Sequence, residues 1–171
     1  MHPLLEQLKH DLETAIDGMT EKQFIWHPPL KWSAAEVLEH LYLSYTGTTK
    51  GFERVLAGSN PLATRGSLRQ RVQAFVVLRF DYLPTGRKSP AQTRPKGLPA
   101  EKVRNGFPGK IAEMDEIINQ CENRLGADTR LLDHPFLGPF TADQWRKFHL
   151  LHGLHHRKQI ARLREAAGSV E

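Results

Sequence analysis

Three quartets of the form Ser/Thr-x-x-Glu/Gln, at Thr20–Gln23, Ser33–Glu36 and Thr141–Gln144, constrain this chain more than any other feature. In each, the hydroxyl can accept the backbone N–H three residues on, while the Glu or Gln side chain returns to the first residue's own N–H. Each therefore marks a helix start. A first helix is predicted from Pro3 to Asp17, with Gly18 as its stop and Leu4, Leu5, Leu8, Leu12, Ala15 and Ile16 on one face. The Thr20 quartet opens a short turn ended by Pro28-Pro29. The Ser33 quartet opens a helix to about Gly58, with Val37, His40, Leu41, Ser44, Thr48, Phe52 and Val55 inward. A third core helix runs from about Lys110 to Leu125, with Ile111, Met114, Ile117, Ile118 and Cys121 inward. The Thr141 quartet opens the last helix, to about Ala167. No alternating strand pattern is seen. Four main helices and one long crossing connection predict an all-α fold, a four-helix bundle formed as a single domain by residues 1–171.

The connection, residues 59–108, is where the charge sits. Between Arg65 and Lys110 there are eleven basic residues opposed only by Asp81 and Glu101, a local +9. The remainder holds thirteen basic against seventeen acidic residues, so the net +5 describes an acidic body carrying a basic insert. Such a field attracts anions. The insert is expected to hold a helix near Leu68–Arg79. Beyond it, Pro84, Pro90, Pro95 and Pro99 punctuate a stretch that cannot be regular.

Other classes are excluded by composition. A single cysteine, Cys121, permits neither an internal disulfide framework nor a cysteine-based zinc cage. No run of about 18 apolar residues predicts a membrane span. The start of the chain lacks the basic and apolar segments of a signal peptide, which points to the cytoplasm.

Nine residues are histidine, and four of them fall on the last helix. His152 and His156, four residues apart, face the same way and can offer imidazoles to one ion. His40, inward on the second long helix among Ser44, Gly47 and Thr48, is the third candidate. Its small neighbours leave room, and the helical Gly47 suggests a close approach. A hydrogen-bonded core histidine is the alternative for each of them. His149, one turn before His152, is read as a fourth ligand, a core filler or, preferably, a support behind the ligands. Gln159 is placed to hydrogen-bond a ligand or His156, or simply to pack.

Two stretches carry a family resemblance. Trp32-Ser33-Ala34-Ala35-Glu36-Val37-Leu38-Glu39-His40-Leu41 is similar to the W-[ST]-x-x-E-V-x-x-H-L signature of the DinB-like superfamily. Phe148-His149 with His152, His156, Gln159 and Ile160 matches its F-H-x-x-H-x-x-x-H-x-x-Q-I pattern. The Thr20–Pro28 element and the His134-Pro135-x-x-Gly138 loop are also similar. The Gly86-Arg87-Lys88 region of the insert resembles the DUF1569-like and other DinB_2-type branches.

The resemblance implies a DinB/YfiT-like four-helix bundle, often dimeric, binding a divalent metal, zinc or nickel, through His40, His152 and His156. It implies a metal-dependent thiol S-transferase or hydrolase acting on a small molecule, with a low-molecular-weight thiol as one partner. Arg87, Lys88 or Arg94 of the insert would then pair with carboxylates of that thiol. The rival readings are a non-catalytic metal-binding or dimerising scaffold and, less favoured, a nucleic-acid module using the basic insert. Against the latter, the insert interleaves few aromatics with its cations and has no nucleic-acid-binding motif.

Overall fold

A computed structural model of the chain describes residues 1–81, 83 and 89–169. Every helix start expected from a capping quartet is present, and each cap is reciprocal. They open α2 (Glu21–Ile25), α3 (Ala34–Gly58) and, near the C-terminus, α6 (Ala142–Gly168). A fourth reciprocal cap, between Ser67 and Gln70, opens α4 (Leu68–Phe80). That quartet was equally legible in the sequence. The first helix, α1 (Pro3–Ile16), carries Pro3 in its first turn and is capped by the His2 imidazole, which accepts the Leu4 N–H. Its chain leaves through Gly18 at φ +68°, a conformation glycine adopts without steric cost.

The fifth helix, α5 (Ala100–Leu125), corrects the expectation of a start near Lys110. Pro108 lies inside it and withholds one helical N–H, a loss of the kind that costs about 3 kcal/mol. The apolar stripe explains why the helix continues. Val103, Phe107, Ile111, Met114, Ile118 and Cys121 recur at three- and four-residue steps straight across the proline, and all are buried. The irregular part of the insert accordingly ends at Pro99, with one 3₁₀ turn at Ala91–Thr93.

The absence of strands also needs correction. Leu132–His134 (β1) and Gly138–Phe140 (β2) pair antiparallel, with Leu132 opposite Phe140 and His134 opposite Gly138. Three-residue strands are too short for alternation to register in a sequence, and Pro139 argues against one. The hairpin is held from outside: the Trp145 indole N–H donates to the Leu132 carbonyl (3.1 Å).

The chain is mostly helical. Helix α3 lies along α5 and α1 along α6, while α3 also meets α6. Leu5, Leu8, Leu41, Phe52, Ile111, Ile118 and Ile160 fill the space between them. Two close approaches set the spacing, and neither involves Gly47, which is exposed with open space beside it. A side chain on Gly51 would meet Leu132, and one on Gly153 would collide with Leu8. Gly153 thus lets α1 press onto α6 between His152 and His156. No helix among the described residues is long and apolar enough to cross a membrane.

Candidate metal centre

Helix α3 brings His40 inward about two turns after its Ser33 cap, and α6 brings His152 and His156 to meet it. One ligand atom from each of the three lies within 4.8 Å of the others. The His152 Nε2 stands 3.2 Å from His40 Nε2 and 3.1 Å from His156 Nε2. The rings meet edge to face, at centroid separations of 4.7 to 5.1 Å. His40 and His156 are buried, and His152 is partly exposed.

The far side of each ring decides what the near side can do. His40 Nδ1 lies 2.7 Å from the Thr93 carbonyl oxygen, which can only accept, so Nδ1 carries the proton and Nε2 a lone pair. His156 Nδ1 donates to Gln159 Oε1 (3.0 Å), leaving its Nε2 in the same state. Two lone pairs therefore converge on His152 Nε2, which has at most one proton to share. The buried Nδ1 of His152 has no hydrogen-bond partner among the described residues. Hydrogen bonds within the trio cannot satisfy all these atoms, whereas a cation accepts three lone pairs at once. The spacing agrees, since nitrogens about 2.0–2.1 Å from a tetrahedral zinc sit roughly 3.3 Å apart. The donor set fits a divalent metal ion.

Burial keeps these imidazoles in the ligating, neutral form. It lowers the pKa of His40 against the opposing pull of Thr93. His156 is pushed down to about 3 by burial and the neighbouring His40, and His152 falls well below its ordinary value by burial and then by His156 and His40. Aromatic rings wall the site. Phe148 stacks on His152 (5.4 Å, 18°) and Trp32 lies tilted over His40 (5.5 Å, 39°).

Sequence reasoning did not single out Glu39 or Thr93. Glu39 is buried on α3, and its carboxylate accepts the backbone N–H groups of Lys96 (2.6 Å) and Gly97 (3.2 Å). This ties residues 91–97 across α3 and brings the Thr93 carbonyl to His40. The basic insert does reach the trio, but through a backbone oxygen. Of the cations expected there, Arg94 is exposed and its Nε donates to the Ser89 carbonyl; Arg87 and Lys88 lie outside the described residues. A buried carboxylate beside His40 was a visible signal. Thr93 offered none, because any residue supplies a carbonyl.

The remaining candidates take other positions. Gln159 bonds His156, as above. His149 is buried at 1% exposure, with Nε2 3.0 Å from Thr48 Oγ1 and its ring stacked on Trp145, and it makes no hydrogen bond to the trio. The Ser44 hydroxyl donates to the His40 carbonyl (2.8 Å). His134 is partly buried against Phe140 and Phe148, and its Nδ1 accepts the turn N–H groups of Phe136 and Leu137.

No curated protein and no solved structure matches the chain. One family model matches residues 5–163, that of the "Protein of unknown function (DUF1569)". The match does not extend to the DinB-like superfamily that the two histidine stretches resemble. By this match over nearly its whole length, the chain belongs to the DUF1569 family.

Proposed function

We propose that this protein is a DinB-like four-helix bundle that binds a divalent metal, zinc or nickel, through His40, His152 and His156. In this reading it acts on a small molecule as a metal-dependent thiol S-transferase or hydrolase. The observation that carries the reading is the convergence of three Nε2 atoms while Thr93 and Gln159 occupy the opposite nitrogens of two rings. A divalent ion held by three imidazoles keeps an exchangeable position and acts as a Lewis acid that acidifies water or a thiol. The chain's residues supply the rest. Thr93 and Gln159 fix ring orientation, burial keeps the imidazoles unprotonated at neutral pH, and Phe148 and Trp32 exclude bulk water from two sides. The partial exposure of His152 supplies the approach for a substrate.

Metal analysis of untagged protein, with His40→Ala beside it, tests the first half. A stoichiometric divalent metal in the wild type that is lost in the variant is expected. Equal metal content in the two would remove the site. Turnover of a thiol with a model electrophile, or hydrolysis of an activated ester, tests the second half. Bound metal without either activity would leave a metal-binding scaffold and sink the enzyme.

A further inference from the structure

Helix α4 presents an apolar face that no element among the described residues covers. Leu68 is 75%, Val72 55% and Phe75 62% exposed, and Val77 is the helix's one buried residue. These three lie at i, i+4 and i+7, with Arg71, Leu78 and Arg79 on the same side, a stripe about 16 Å long. Opposite it stand Leu137 and Pro139 of the hairpin, and the space between is a groove of about 650 Å³. Gly138, at φ +79°, lets the hairpin approach this closely, since a side chain there would press on Gln70.

The rim of this groove carries one sign of charge. Arg71 and Arg79 from α4 and Arg130 from the opposite side line it, and no Asp or Glu does. None of the three has a carboxylate partner among the described residues. A second copy docking α4 against α4 would set guanidinium against guanidinium. A concave apolar wall with unpaired guanidiniums at its edge is instead the complement of a chain with an anionic head.

We propose that the groove between α4 and the hairpin binds a free, single-chain amphiphilic carboxylate, the alkyl chain lying along Leu68, Val72 and Phe75 and the carboxylate meeting Arg71, Arg79 or Arg130. None of the groove residues belongs to the histidine trio, so this site stands apart from the metal reading.

Calorimetric titration with dodecanoate and with dodecyltrimethylammonium, both below micelle formation, is the test. Saturable dodecanoate binding about tenfold tighter than that of the cation is expected, with Arg71→Glu and Arg130→Glu each weakening it about tenfold. Phe75→Asp should abolish it, while His40→Ala should leave it intact. All three groove variants alter exposed side chains, and circular dichroism checks that they fold. No saturable binding, equal binding of both heads, or indifference to the arginine reversals would overturn the proposal. Two further outcomes would also overturn it. One is a dimer in solution that Phe75→Asp dissociates, which makes the face a contact between copies. The other is sedimentation with phosphatidylglycerol vesicles that dodecanoate does not compete, which makes it a bilayer contact.

Discussion

Glu39 and His40, neighbours on α3, hold the same segment of the insert from two points: Glu39 accepts the Lys96 and Gly97 N–H groups, and His40 donates to the Thr93 carbonyl. The carboxylate therefore positions the carbonyl that sets the tautomer of His40.

Replacing Glu39 should weaken metal binding without touching a ligand. Losing a group that orients a ligating histidine typically costs 10–100-fold in metal affinity, so about that range is expected for Glu39→Ala. Glu39→Gln keeps one acceptor and should lose less. Zinc and nickel dissociation constants measure this, and the ¹⁵N shifts of the His40 ring report the tautomer directly. Unchanged affinity in Glu39→Ala would separate the segment from the site.

Acid should destabilise the protein through His149. Burial, and then the neighbouring His134, push its pKa from the ordinary 6.5 down to about 3. Between those values the unfolded chain binds a proton that the folded chain refuses. Stability is therefore whole above pH 6.5 and declines as pH falls toward about 3, by at most roughly 1.4 kcal/mol per unit for this group. Urea midpoints across that window measure the slope, and His149→Gln should flatten it relative to wild type.

Gly153→Ala places a methyl where Leu8 now packs. Overpacking of this kind costs about 1–3 kcal/mol. Leu8→Ala alone should cost about 2–5 kcal/mol by leaving a cavity. The double variant should lose less than the two losses added, because each change relieves the other. Additive losses would mean that α1 does not rest on Gly153.

Arg146 is 2% exposed and joins α6 to α5 through Glu122 (2.7 Å) and Asn119, with Asp115 at 3.7 Å. Asp115 also accepts the His2 N–H (2.8 Å), which anchors the start of the chain. Arg146→Ala strands the buried Asp115 carboxylate and the partly buried Glu122 and should cost about 3–5 kcal/mol in urea unfolding. A loss under about 1 kcal/mol, the range of surface pairs, would show the network to be solvated.

The helices were legible because their signals are local. A hydroxyl and a Glu or Gln three residues apart report a helix start at Thr20, Ser33, Ser67 and Thr141, each of which caps a helix; the same pattern at Ser89–Gln92 makes no side-chain cap and only a 3₁₀ turn follows it. The start of α5 was not legible, because Pro108 is a strong local signal that the buried stripe from Val103 to Cys121 overrides. The hairpin was hidden by its brevity. At the site, His40, His152 and His156 were readable from helical spacing and from the resemblance. Gly47 misled, since a helical glycine shows that a close approach is allowed and not that one occurs; Gly51 and Gly153 make them. Glu39 could have been found as the one carboxylate in the run Val37–Leu41.

The hold on His40 has a consequence for how such a chain can change. Because Thr93 contributes its main chain, most substitutions at that position leave the bond intact, and comparing residue types there would report nothing. Chain length is another matter. Adding or deleting a residue between Thr93 and Lys96 would move the carbonyl away from the ring while Glu39 still gripped the far end. The imidazole's orientation is thus recorded in the spacing of the segment, and a ruler is a better guide to it than an alphabet.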